Sequence, residues 1–157
     1  MINLSELVRG GTLCLSKAGL AEATTTAGAI KIVAPNGAGV DFAIGGKIYH
    51  KADTDDIAIT AATAQAALYS CLYLVQLNSS GTLSTVKGTA VLTADVTAGK
   101  TPLTWPEPAA SNCPIGAFRV DTASGYTFTA NTTDLSATGI TATYYDLFAV
   151  PDAPIVA

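Results

Sequence analysis

Hydrophobic and polar residues alternate in short runs from residue 30 onward, and turn-forming residues separate the runs. Val40–Ile44 and Lys47–His50 both alternate, and they flank the pair Gly45-Gly46. Two glycines adopt the positive φ angles of a tight turn at little cost, so this pattern predicts a β-hairpin over residues 40–50. Residues 57–60 alternate in the same way and predict a further strand.

The longest apolar run, Leu68–Leu77, predicts a central strand that is covered on both faces. The turn residues 78–81 lead into residues 82–86, which completes a second predicted hairpin. The alanine-rich residues 61–67, just before this run, could form one or two helical turns rather than a strand.

Residues 99–114 contain four of the seven prolines of the chain. Proline has no N–H to donate to a strand ladder, so we expect an ordered crossing loop here, with Trp105 as its anchor. Further strands are predicted over residues 115–121, 126–129 and 140–148.

Many short strands at spacings of roughly 8–12 residues, without long amphipathic helices, predict an all-β domain. We expect a β-sandwich or jelly-roll-like body of short antiparallel strands over residues 29–150, followed by a C-terminal tail, residues 151–157. Residues 1–28 are interpreted as an N-terminal arm or edge element, because the stretch after Lys17 has little to anchor it in a core. Asn3 or Ser5 could cap a short helix in this arm.

Charged residues make up 13% of the chain, against about 25% in an ordinary soluble domain, while Ala (28) and Thr (22) are abundant. A surface with few charges and many Ala and Thr residues suits a protein that packs against neighbouring proteins. A rigid extracellular-type domain with a neutral surface would have the same composition. The net charge is −4 and Lys and Arg are scattered, so neither nucleic acid nor a phosphate-rich partner is expected.

The three cysteines, Cys14, Cys71 and Cys113, cannot all pair within one chain. Cys14 and Cys71 lie in apolar runs and are expected to be buried free thiols, which favours folding in a reducing cytoplasm. The N-terminal residues lack the pattern of a secretion signal, and no apolar run has the roughly 20 residues of a membrane span, so no membrane partner is expected.

Few residues in the sequence could carry catalysis. His50 is the only histidine, so a metal site rich in histidine is excluded, and no serine lies in a GxSxG elbow. A hydrogen-bonded or solvated His50 at a strand end is the simpler interpretation. We therefore expect no enzymatic activity, no catalytic or metal site and no cofactor.

Three motifs leave a binding function open. Asp53, Asp55 and Asp56 could bind Ca²⁺ weakly, although a solvated turn between strands is the favoured interpretation. Tyr144-Tyr145 could belong to an aromatic platform for carbohydrate, to which at most one ring could contribute, because neighbouring strand residues point to opposite faces. Asn131-Thr132-Thr133 matches a glycosylation pattern that has little meaning without a secretion signal.

A series of motifs between about residues 40 and 150 resembles small virion proteins of tailed bacteriophages, above all head decoration (cement) proteins. The motifs, in chain order, are Tyr73-Leu74-Val75, Lys87-Gly88-Thr89, Pro114-Ile115-Gly116, Phe118-Arg119-Val120, Phe128 and Asn131 to Leu135. The resemblance implies a sandwich or jelly-roll body that assembles in the host cytoplasm and oligomerises, often as a trimer, on the outer capsid surface.

The resemblance thus implies a structural protein that binds the major capsid protein and stabilises the head lattice. From the residues themselves we expect the capsid or oligomer contact in the arm, at Leu4, Leu7, Val8 and Leu13, which lack an evident core. The alternative is a tail or head-fibre module that binds carbohydrate on the host surface.

Overall fold

The computed structural model describes residues 11–148. Within this range the chain forms eleven strands and one short helix: β1 Leu13–Cys14, β2 Leu20–Glu22, β3 Ala29–Ile32, β4 Val40–Ile44, β5 Lys47–Lys51, β6 Thr54–Ala58, β7 Tyr69–Leu77, β8 Leu83–Lys87, β9 Val91–Leu92, α1 Thr93–Thr97, β10 Cys113–Thr122 and β11 Ile140–Asp146. The all-β prediction is confirmed. The predicted arm helix and the tail, residues 151–157, lie outside the described residues.

The strands form three antiparallel sheets. The main sheet has the order β11-β10-β7-β8, with β9 also paired to β7, and the hairpin sheet has the order β1-β4-β5. The third sheet has the order β2-β3-β6. Both predicted hairpins are present, since β4 pairs with β5 and β7 pairs with β8.

The inner faces of the three sheets enclose one hydrophobic core, as in a sandwich. Tyr73 and Phe118 of the main sheet stack with ring centroids 5.0 Å apart, and the Phe128 ring meets Tyr73 edge to face at 5.8 Å. Phe42 enters from the hairpin sheet and Ile30 from the third sheet, and both are fully buried. Burial of each such side chain contributes about 1.5–3 kcal/mol to folding.

The outer face of the main sheet is also covered over β7, as the long apolar run predicts. Leu72 and Leu74 point away from the core and are nonetheless buried. The cover includes the crossing segment, defined here as residues 98–112, whose Ala109 N–H donates to Gln76 Oε1 at 2.9 Å. Gly88 approaches both Pro106 of this segment and the carbonyl oxygen of Leu72.

Several local predictions are wrong. Trp105 does not anchor the crossing segment, because its side chain is 52% exposed. Residues 126–129 form no strand, and residues 61–67 form no helical turn; the two stretches meet instead in a single bridge between Gln65 and Phe128. Helix α1 has no counterpart in the apolar pattern.

Residues 11–28 belong to the folded body. β1 and β2 are edge strands of their sheets, and Ala18 and Leu20 are buried in the core. The Asp146 carboxylate accepts the N–H of Gly19 at 2.9 Å and that of Leu20 at 3.3 Å, which joins β2 to β11. The expectation that this stretch has little to anchor it is therefore wrong.

Candidate interaction surfaces

The only histidine is hydrogen-bonded on a strand, as expected. His50 Nδ1 lies 2.8 Å from Asp41 Oδ1, and both side chains are about half exposed, at 50% and 49%. The register of β4 and β5 places the two residues directly opposite each other. The pair therefore cross-links the two strands of the hairpin on its outer face.

The carboxylates of the acidic cluster accept hydrogen bonds from two backbone segments. Asp53 accepts the N–H of Ala34 at 2.8 Å, Asp55 that of Thr24 at 3.0 Å and Asp56 that of Thr26 at 2.9 Å. Hydrogen bonds from the Thr24 side chain and backbone lower the pKa of Asp55. Those from the Thr25 side chain and the Thr26 backbone lower the pKa of Asp56.

Asp55 and Asp56 thus stabilise the turn at residues 24–26, whereas Asp53 binds the backbone at Ala34. Within residues 11–148, no group of three His, Cys, Asp or Glu side chains is placed to hold a metal ion.

All three cysteines are buried free thiols, as expected for Cys14 and Cys71. Burial raises the pKa of Cys14 to about 11 and that of Cys113 to about 12. Burial also raises the pKa of Cys71. Because the thiolate is the nucleophilic form, these thiols are unreactive near neutral pH.

The outer face of the hairpin sheet carries apolar side chains. Leu13, Ala43 and Ile48 lie opposite one another across β1, β4 and β5, where Ala43 is buried and Leu13 is partly exposed. Ile48 is 73% exposed, the largest exposure among the exposed large hydrophobic residues. Leu15, two residues after Leu13, is also exposed. We call these four residues the apolar strip.

The outer face of the main sheet carries an exposed aromatic pair. Trp105 and Tyr145 meet edge to face, with ring centroids 6.3 Å apart and an angle of 77° between the planes. Tyr144 points to the opposite face, where its ring lies 6.2 Å from Phe118. The prediction that only one of the two neighbouring tyrosines could serve a platform is confirmed. We call Trp105 and Tyr145 the aromatic corner.

A row of polar side chains continues from the aromatic corner along the same face. Thr141 and Thr143 alternate with inward residues on β11 and are exposed. On β10, Arg119 lies opposite Thr143 and Asp121 lies opposite Thr141. Arg119 Nε donates to Asp121 Oδ1 at 2.7 Å, and both side chains are about one-quarter exposed. We call these four residues the polar row.

Of the four residues predicted to contact the capsid or another subunit, only Leu13 lies within the described residues, and it belongs to the apolar strip. Leu4, Leu7 and Val8 lie outside the described residues. Sequence reasoning missed Ile48, although the alternation of the hairpin with Phe42 and Tyr49 on the inner face would have placed it outside. It also missed the partner of Tyr145, because Trp105 is distant in sequence and was expected to be buried.

No known protein family matches this chain, and neither a curated protein nor a solved structure is significantly similar to it. In residues 11–148 there is no helix that is long and apolar enough to span a membrane. The chemistry of the two outer faces is therefore the basis for a functional proposal.

Proposed function

We propose that this chain is a structural virion protein of a tailed bacteriophage, which binds the outer capsid surface and stabilises the head lattice. The proposal includes a homotrimer of jelly-roll-like subunits that assembles on the major capsid protein in the host cytoplasm. The observation that carries it is the apolar strip on a body with few charges.

The apolar strip suits a surface that another protein covers. Complete burial of one isoleucine or leucine side chain is worth about 1.5–3 kcal/mol, and Ile48 leaves most of that unrealised in the isolated chain. Contiguous apolar side chains on a sheet face are typical of protein–protein contacts. A chain with 13% charged residues has little capacity for charge steering, so shape and apolar contact would supply the affinity.

The edge of the hairpin sheet favours contact through the face rather than through strand addition. β5 is an edge strand, and three of its five residues are Lys47, His50 and Lys51. Basic side chains on an edge strand discourage backbone pairing with another chain. The exposed face beside them is then the surface available for docking.

Co-sedimentation with purified capsids of the parent phage tests the proposal. Ile48→Glu places a charge at the most exposed side chain of the apolar strip and should weaken capsid binding about tenfold or more. Val33→Glu is the matched control, because Val33 is 51% exposed and lies outside the strip. Equal binding of the two variants, or no binding of the unmodified protein, would contradict the proposal.

Thermal disruption of the same capsids tests the stabilising role. Capsids saturated with the unmodified protein should release their DNA at a higher temperature than bare capsids, because a ligand that binds the assembled lattice stabilises it. Capsids mixed with the Ile48→Glu variant should behave like bare capsids. A monomer by size-exclusion chromatography with light scattering would contradict the proposed trimer, but not capsid binding itself.

The second candidate function is a tail or head-fibre module that binds carbohydrate on the host surface. The exposed aromatic corner favours it. Binding to host cells but not to purified capsids would support this alternative against the decoration function.

A further inference from the structure

The aromatic corner presents two large apolar rings to solvent in a fixed arrangement. Tyr145 lies in β11, opposite Ala117 of β10, so the main sheet fixes its backbone. Trp105 is followed by Pro106, which packs near Gly88, so the crossing segment holds its backbone close to the sheet. Tryptophan and tyrosine side chains each bury roughly 150–250 Å² of surface when they are covered. The exposed part of this pair is therefore a large apolar surface on which a ligand could pack.

The polar row supplies hydrogen-bonding groups beside those rings. Alternate residues of a strand are roughly 6.7 Å apart, so Tyr145, Thr143 and Thr141 form a line about two such steps long. The Arg119 guanidinium is held by Asp121 at 2.7 Å and by Ser70 at 3.3 Å. The guanidinium N–H groups that these two bonds leave over can donate to a ligand, and the Asp121 carboxylate can accept beside them.

This combination matches the chemistry of a sugar chain. A pyranose ring has one face of C–H bonds with partial positive charge, which the negative face of an aromatic ring attracts. The hydroxyl groups on the rim of the sugar both donate and accept hydrogen bonds. They can therefore accept from Arg119, donate to Asp121 and do either with the threonine hydroxyls. The chain carries a net charge of −4, which disfavours an anionic ligand.

We propose that the aromatic corner and the polar row together form a binding site for a neutral oligosaccharide. One sugar ring stacks in the corner between Trp105 and Tyr145. The next sugar extends along β11 over Thr143, within reach of the Arg119–Asp121 pair.

The proposed sugar site and the apolar strip lie on different outer faces of the sandwich. The strip is on the outer face of the hairpin sheet, and the sugar site is on the outer face of the main sheet. The inner faces of both sheets contribute to the common core. A subunit bound through the apolar strip would therefore leave the sugar site accessible, and the sugar site can exist whether or not the capsid function holds.

Trp105 is the only tryptophan of the chain, so intrinsic tryptophan fluorescence reports on this site alone. The probes are the neutral tetrasaccharides maltotetraose, mannotetraose, chitotetraose and lacto-N-tetraose, with the anionic sialyllactose as comparator. At least one neutral probe should change the emission saturably, with a Kd of about 0.1–1 mM for so small a contact. No saturable change with any neutral probe, or a response to sialyllactose alone, would overturn the proposal.

Variants separate stacking from a non-specific response. Tyr145→Ala should weaken the binding of the active probe about tenfold, whereas Tyr145→Phe keeps the ring and should bind like the unmodified protein. Val33→Glu, which lies outside both surfaces, is the control and should also leave sugar binding unchanged. Calorimetric titration of Trp105→Ala, with its fold checked by circular dichroism, should show no heat of binding. Unchanged affinity in Tyr145→Ala or Trp105→Ala would contradict the site.

Discussion

Single polar side chains replace backbone hydrogen bonds where the strands of this protein end. The Asn131 side chain accepts the N–H of Ile59 at 2.7 Å and donates to its carbonyl oxygen. Buried Gln65 donates to the carbonyl oxygens of Tyr69 and Val120 at 2.8 and 2.9 Å. The residues that looked chemically interesting in the sequence, Asn131 among them, thus have structural roles that no local pattern reveals.

Gln65→Leu should lower the free energy of unfolding by about 2–3 kcal/mol. Leucine fills a similar volume but removes the amide donor from the carbonyl oxygens of Tyr69 and Val120 and the acceptor of the buried Tyr73 hydroxyl, which donates to Gln65 at 3.3 Å. Urea unfolding measures the difference. The exposed Thr127→Ala change nearby should cost less than about 0.5 kcal/mol, and an equal effect of the two variants would contradict this role of Gln65.

Asp56→Asn tests the role of the acidic cluster through pH. The lowered pKa of Asp56 means that the folded state binds fewer protons than the unfolded chain, so the ionised carboxylate stabilises the fold above the ordinary aspartate pKa of about 3.9. This contribution is lost as the pH falls through the lowered value. Asparagine tolerates the positive φ of 53° at this position, so the substitution keeps the backbone and removes the charge together with one carboxylate acceptor.

The variant should therefore be less stable than the unmodified protein near pH 7 and closer to it near about pH 3, as urea unfolding at both values can measure. Glu107→Gln removes an exposed carboxylate of the crossing segment and serves as the control. A stability difference that stays constant from neutral to acid pH would show that the Asp56 charge is not involved. Glu22 should change stability with pH in the opposite direction, because burial and a hydrogen bond with Asp134 raise its pKa. The folded state then binds more protons than the unfolded chain, so the contribution of Glu22 to stability decreases as the pH rises.

At the scale of elements, sequence reasoning succeeded where the signal is local. The Gly45-Gly46 hairpin and strand β7 follow from alternation and from a continuous apolar run. The errors concern segments whose position depends on distant partners. β1 and β2 are only two and three residues long, too short to show a periodic pattern, and β1 pairs with the distant strand β4. The sugar site combines Trp105 with Tyr145, which are 40 residues apart, for the same reason.

The crossing of β2 over β10 depends on a glycine. A Cβ atom at Gly116 would lie 2.4 Å from Leu20 Cδ1 and 2.6 Å from the carbonyl oxygen of Tyr145. Gly116→Ala should therefore lower the free energy of unfolding by about 1–3 kcal/mol, because the backbone of β11 cannot move away easily.

Thermal unfolding by circular dichroism measures this effect. Gly45→Asn is the matched control, since nothing lies within 4 Å of an added Cβ there and asparagine accepts the positive φ of 56°. If Gly116→Ala melted at the same temperature as the control, the close approach of β2 and β10 would be wrong.

At the scale of the whole molecule, the fold separates two outer faces of different chemistry around one core. The apolar strip on the hairpin sheet suits a protein partner, and the aromatic corner on the main sheet suits a sugar. β1 and β2 lie within residues 1–28, so deletion of residues 2–28 would remove parts of two sheets and unfold the body. Surface substitutions such as Ile48→Glu are therefore the appropriate test of docking.

The buried thiols give a global measure of this packing. Cys14, Cys71 and Cys113 should not react with a thiol reagent in the folded protein near neutral pH, because they are buried and their pKa values are raised. All three should react at once in denaturant. Rapid labelling of any of them in the native protein would contradict the single closed core.

Electron cryo-microscopy of capsids from the parent phage, incubated with the purified protein, tests the central claim most directly. The proposal predicts ordered density on the outer shell at symmetry-related positions, with the hairpin sheet and Ile48 facing the major capsid protein. The aromatic corner would then face away from the shell. Capsids without added density, or subunits whose hairpin sheet faces solvent, would contradict the account.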